Sequence, residues 1–127
     1  MSQSAKPQTI PTINIVINQT ALSNSHFKES IDLALVCAAF DQTINLIFVD
    51  NGIFNLTKNQ NYQELSDKNH LDILKGLEFY DVDNIYVEQE SLDERKMTRN
   101  NLIDVCKTLN AAKIKKLHIQ SDQVVIL

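Results

Sequence analysis

Glycine is nearly missing from this chain: Gly52 and Gly76 are the only two among 127 residues. A dinucleotide-binding loop needs several closely spaced glycines so that backbone can approach a pyrophosphate, and a P-loop needs its own glycine pair beside a lysine. Neither pattern is present, which excludes nucleotide binding in those standard modes. Cysteine is equally scarce, with Cys37 and Cys106 far apart. Two isolated thiols without a secretory signal make no disulfide framework and point to a reducing, cytoplasmic setting. His26, His70 and His118 stand apart from one another and from the cysteines. No Cys-x-x-Cys or His-x-x-x-His spacing occurs, so no metal site is expected, and no cofactor. A Gly-x-Ser-x-Gly elbow, which would expose a nucleophilic serine, is also lacking.

Long apolar runs are absent too. The clearest, Leu46-Ile47-Phe48-Val49, is strand-sized, against roughly 20 residues needed to cross a bilayer. No membrane association is expected. Met1 to Thr12 hold two prolines and one lysine but no apolar h-region, so residues 1–12 are expected to be a flexible tail rather than a signal. The remaining residues, 13–127, suit a single domain. Basic residues are in deficit, with a net charge of −4 and a pI near 5.2. Phosphate binding rests on clustered Lys and Arg, so no direct nucleic-acid partner is expected. Lys113, Lys115 and Lys116 are expected to be a solvated helix end.

What is present alternates in periodicity. Ile13 to Ile17 is a β-branched run, and Ile44 to Val49 is almost continuously apolar, as in a strand buried on both faces. Between them, Phe27, Ile31, Ala34, Leu35 and Ala38 recur at helical spacing, with Leu33, Val36, Cys37 and Phe40 adding a second apolar face. Asp50-Asn51-Gly52 breaks the second strand, Ile53 to Leu56 starts a short helix, and Thr57 to Asn69 are expected to be loop. A helix carrying Leu71, Leu74, Leu77 and Tyr80 precedes an Asp81–Asn84 turn and a strand at Ile85-Tyr86-Val87. Asp81 and Asp83 suit local backbone bonding in that turn better than acid–base chemistry. Ser91 to Lys96 is helix-compatible. Farther on, a helix over Arg99–Ala112 is expected to bury Leu102, Val105, Cys106 and Leu109. Strands follow at Leu117-His118-Ile119 and Val124–Leu127. Together these predict an α/β fold, a three-layer α/β/α sandwich whose mainly parallel central sheet has about five strands. Sites in such folds lie beyond the carboxyl ends of strands.

Three ordered segments carry a resemblance. Phe48-Val49-Asp50-Asn51-Gly52-Ile53-Phe54-Asn55-Leu56, Tyr80-Asp81-Val82-Asp83-Asn84-Ile85-Tyr86-Val87 and Glu90-Ser91-Leu92-Asp93-Glu94-Arg95 resemble the DsrE/DsrF-like family, in its TusC/DsrF branch. Lys28-Glu29-Ser30-Ile31-Asp32 is similar to that branch's Arg-Glu-Gly-Leu-Asp helix start, with Lys28 and Ser30 departing from it. Lys96 stands where a glycine commonly follows.

The resemblance implies assembly with DsrE-like (TusD) and DsrH-like (TusB) subunits in a sulfur relay, serving tRNA 2-thiouridine synthesis or sulfur oxidation. It also implies that sulfur-carrying subunits hold their reactive cysteine just after the strand matching Ile85–Val87. This chain has Glu88 there, so no catalytic residue is expected. Glu88, Ser91, Glu94 and Arg95 are expected on a loop facing a partner or a shared opening. Cys37 and Cys106, both expected on apolar helical faces, read as core residues. The alternatives are a persulfide carrier using either thiol and a stand-alone homo-oligomeric binding protein. A homo-oligomer is also the expected fallback when partners are missing.

Overall fold

A computed structural model describes residues 10–20, 26–58 and 70–127. Most of the expected tail (residues 1–9) and most of the expected loop (residues 59–69) lie outside the described residues. Five strands form one sheet: β1 (Thr12–Ile17), β2 (Thr43–Phe48), β3 (Asn84–Glu88), β4 (Lys107–Leu109) and β5 (Gln123–Ile126). Their order is β4-β3-β2-β1-β5 and every pairing is parallel. The helices are α1 (His26–Ala39), α2 (His70–Gly76), α3 (Gln89–Glu94) and α4 (Ala111–Gln120), with short 3-10 helices at Asp50–Leu56, Leu77–Tyr80 and Arg99–Asn101.

Right-handed crossovers fix the layers. The connections from β1 to β2, β2 to β3 and β3 to β4 all step the same way, so α1, α2 and α3 share one face. The connection from β4 to β5 returns across the sheet, which puts α4 on the other. Ile13, Ile15 and Ile17 of β1, with Ile44, Leu46 and Phe48 of β2, meet Phe27, Ile31, Ala34, Leu74, Leu77 and Leu92 in the larger core. The expected α/β/α sandwich is therefore what the chain forms.

The opposite face of the two central strands is partly polar. Asn14 and Asn45 are buried and in register. Asn45 Nδ2 donates to Asn14 Oδ1 at 2.9 Å, and Asn14 Nδ2 pairs with His118 Nδ1 of α4 at 3.0 Å. Each amide is satisfied only in this register and with α4 seated, so the chain of bonds specifies both.

Two sequence expectations fail in the last third of the chain. Arg99–Ala112 is not a helix, and Leu117-His118-Ile119 is not a strand. Leu102, Ile103 and Cys106 are buried from an irregular segment, and their spacing imitates a helical stripe. Arg99 holds that segment, its Nη2 donating to the carbonyls of Asp104 at 3.0 Å and Cys106 at 2.7 Å. The helix begins only at Ala111, where Asn110 Oδ1 caps it by accepting from the Lys113 amide at 2.8 Å. The fourth strand is consequently Lys107–Leu109, at the edge beyond β3.

Glycine's scarcity shows at the helix ends. Asp41 (φ 63°), Asp81 (φ 66°) and Lys96 (φ 56°) turn the chain in the left-handed region. The next amides, of Gln42, Val82 and Met97, reach back to the carbonyls of Cys37, Leu77 and Leu92. These are Schellman ends, where glycine would sit without steric cost. An L-residue there costs about 1 kcal/mol, somewhat less for Asp. Lys96 is the residue that stands where the resemblance placed glycine.

Truncating Asn14 to Ala leaves both the Asn45 amide and the His118 ring without their partner. It is expected to lower unfolding stability by about 1–3 kcal/mol, read from urea denaturation. An unchanged midpoint would show that the buried amides do not hold α4.

Candidate functional site

In an open parallel sheet, the crevice for a site opens beyond the carboxyl ends of two neighbouring strands whose outgoing connections leave to opposite faces. Here that place is between β3 and β4, since α3 and α4 part company there. Glu88 ends β3 in register with Leu109 of β4. Glu88 Oε1 accepts from Ser91 Oγ at 2.5 Å, and Ser91 Oγ itself accepts from the Asp50 amide at 2.8 Å. Ser91 is fully buried. The carboxylate is thus tethered through one hydroxyl to the turn that follows β2.

Arg95 closes the same corner. Its Nε and Nη2 both donate to Asn51 Oδ1 at 3.2 Å, and its Nη1 donates to the Ser91 carbonyl at 3.2 Å. Glu94 points outward and touches Arg95 only at 3.4 Å. Three of the four sequence-identified residues, Glu88, Ser91 and Arg95, are therefore brought together and Glu94 is not. The segment expected as a partner-facing loop is a short helix, α3, in keeping with the helix-compatible reading of Ser91 to Lys96.

Three further residues fix the segments around this end of the sheet. Glu90 Oε1 accepts from the Ala111 amide at 2.9 Å, so an internal carboxylate already fills the positive end of α4. Gly52 is needed for close approach: a Cβ there would lie 2.0 Å from the Ile17 carbonyl oxygen. Asn55 Nδ2 fastens the same 3-10 helix to the Gln19 carbonyl at 2.9 Å and the Gly52 carbonyl at 3.1 Å. The Asp50-Asn51-Gly52 breaker was visible in the sequence, but its role as the anchor for Ser91 and Arg95 was not, because the partners lie some forty positions away. Glu90 stood in the third resembling segment, but nothing in the sequence signalled its bond to the Ala111 amide.

Neither thiol is near this corner. α1 runs from the carboxyl end of β1 to the amino end of β2, and Cys37 sits half-buried in its last turn. Cys106 directly precedes β4, so it too lies at the amino end of the sheet. The expectation that Cys106 occupies a helical face is wrong, though its burial is right: it is 2% exposed, with Sγ donating to the Ile103 carbonyl at 3.2 Å. Burial pushes its thiol pKa up, against a smaller opposing pull from the Arg99 guanidinium. The thiolate, the nucleophilic form, is correspondingly depleted at neutral pH. Among the described residues, no group of three or more His, Cys, Asp or Glu is placed to hold a metal ion. No described helix is long and apolar enough to cross a membrane.

This arrangement predicts an order of thiol reactivity. A small alkylating reagent at neutral pH is expected to modify Cys37 in the folded protein and to reach Cys106 only on denaturation. Equal native rates, read by peptide mass spectrometry, would contradict the burial and raised pKa assigned to Cys106.

Comparison with known proteins agrees with this architecture. The TusC homolog of Pseudomonas aeruginosa is 31% identical over 113 residues, covering 89% of this chain and 95% of that protein. The intracellular sulfur oxidation protein DsrF of Allochromatium vinosum is 28% identical over 110 residues, covering 76% of this chain and 81% of that one. The crystal structure of the ychN protein from E. coli superposes with a TM-score of 0.78 at 18% identity, over 93% of this chain and 100% of that chain, and so shares the fold. The DsrE/DsrF-like family matches residues 13–127. With nearly the whole described chain inside that match, and relatives named TusC and DsrF, the protein belongs to the DsrE/DsrF-like family.

Proposed function

We propose that this chain is an architectural, non-catalytic subunit of a cytoplasmic sulfur-relay complex, working beside DsrE-like (TusD) and DsrH-like (TusB) subunits. The observation that carries this reading is the carboxylate at the carboxyl end of β3. Persulfide exchange requires a thiolate to attack and to hold sulfur, and Glu88 can do neither. Both cysteines sit at the other end of the sheet, one of them buried. Held by Ser91, the Glu88 carboxylate and the Arg95 guanidinium form a rigid polar corner. That corner suits contact with a neighbouring subunit around a shared opening. The complex would serve either sulfur oxidation, the process named in the DsrF relative, or tRNA 2-thiouridine synthesis, the process that resemblance to the TusC branch implies.

A second reading has one observation in its favour. Cys37 is half-buried rather than sealed, which leaves it as the residue through which the chain would carry a persulfide if it carries one.

The two readings part on one experiment. When the complex is reconstituted with its sister subunits, Cys37→Ser with Cys106→Ser is expected to transfer sulfur at close to the wild-type rate. Loss of transfer by a double variant that still folds and assembles would establish the carrier reading.

A further inference from the structure

The end of the sheet away from Glu88 carries exposed apolar groups. Phe40 is 76% exposed, Phe79 83% and Tyr80 64%. Phe40 precedes β2, and Phe79 and Tyr80 precede β3, so both corners lie at the amino ends of neighbouring strands. Beneath them α1 packs on the Leu77–Tyr80 turn, and Ala34, Ala38 and Leu77 are buried in the same core. Large aromatic groups in water at adjacent corners mark an interaction surface rather than scattered exposure.

Each corner repeats one design. An exposed aromatic is followed by an aspartate in the left-handed region: Phe40 by Asp41, Tyr80 by Asp81. Glycine is the unstrained residue at such a position, yet both corners place a carboxylate there. Glu78 and Asp83 add two more exposed carboxylates. Among the described residues, none of these four side chains makes an ion pair or a hydrogen bond. Against them the neighbouring sequence offers Lys75, and Lys107 at the start of β4.

We propose that this amino-end face is a docking surface for a sister subunit that presents an apolar patch rimmed by Lys or Arg. The inference rests on the reading of this chain as a subunit of a larger assembly. Charge selects the occupant. A second copy docking through the same face would set four carboxylates against four, whereas a basic rim meets them favourably and discriminates against the wrong partner. The same acidity disfavours nucleic acid.

The test is co-expression of the full chain with its two sister subunits, followed by native mass spectrometry and titration at low and high salt. The informative variant is Asp41→Gly with Asp81→Gly, which removes charge while relieving backbone strain. It is expected to melt at a higher temperature than wild type and yet to bind at least about tenfold more weakly, with a reduced salt dependence. Phe40→Ser with Tyr80→Ser is expected to lose the assembly. Unchanged assembly of both variants overturns this inference and leaves the subunit reading standing. Failure of the wild type to assemble with either sister overturns both. A self-dimer that the same substitutions dissolve also overturns it.

Discussion

The in-register pairing of β1 with β2 is the constraint from which the rest follows. Six residues of each strand run parallel from Thr12↔Thr43 to Ile17↔Phe48, and both strands are nearly all buried. Because parallel strands share a direction, each helix must leave from the carboxyl ends and return to the amino ends. That polarity separates the molecule's chemistry. Glu88, Ser91 and Arg95 gather at one end, while both cysteines and the exposed aromatics lie at the other. The Asn14–Asn45–His118 chain reinforces the register from the second face, since a one-residue slip would leave buried amides unpaired. Gly52 reinforces it from the end, by letting the Asp50–Leu56 helix press against the Ile17 carbonyl.

Much of this was legible in the sequence because burial on both faces leaves a strong mark. Ile13–Ile17 and Ile44–Val49 could hardly be anything but central strands, and the stripe from Phe27 to Ala38 matched its sheet face. The edge strands were harder. β4 is three residues long, half-exposed, and preceded by buried residues whose spacing suits a helix. Its assignment turns on Arg99 gripping carbonyls several residues downstream, and on Asn110 acting as a cap. Those are tertiary facts that periodicity does not carry. In the site, Glu88, Ser91 and Arg95 were read from their place in an ordered motif, whereas their anchoring by Asp50 and Asn51 needed the fold. Glu94 was read with them because it is adjacent in sequence, but helix geometry turns it outward.

The position of Glu88 has a consequence for how the chain contributes. A carboxylate fixed by a buried hydroxyl, with an arginine pinned alongside it, is a polar surface of defined shape, not a nucleophile awaiting activation. α4's positive end, a kind of site that can bind an anion, is filled by Glu90 from within. The crevice is thus internally satisfied, which suits a chain that shapes a neighbour's site.

The central claim, that this chain shapes a sulfur relay without carrying sulfur, is tested most directly by loading the assembled complex with a persulfide donor. Intact and peptide mass spectrometry on each subunit then reads where sulfur resides. The account predicts that this chain keeps its unmodified mass while a sister subunit gains one sulfur atom. Added sulfur on Cys37 or Cys106 of this chain, kept within the assembled complex and passed on to an acceptor, would contradict it.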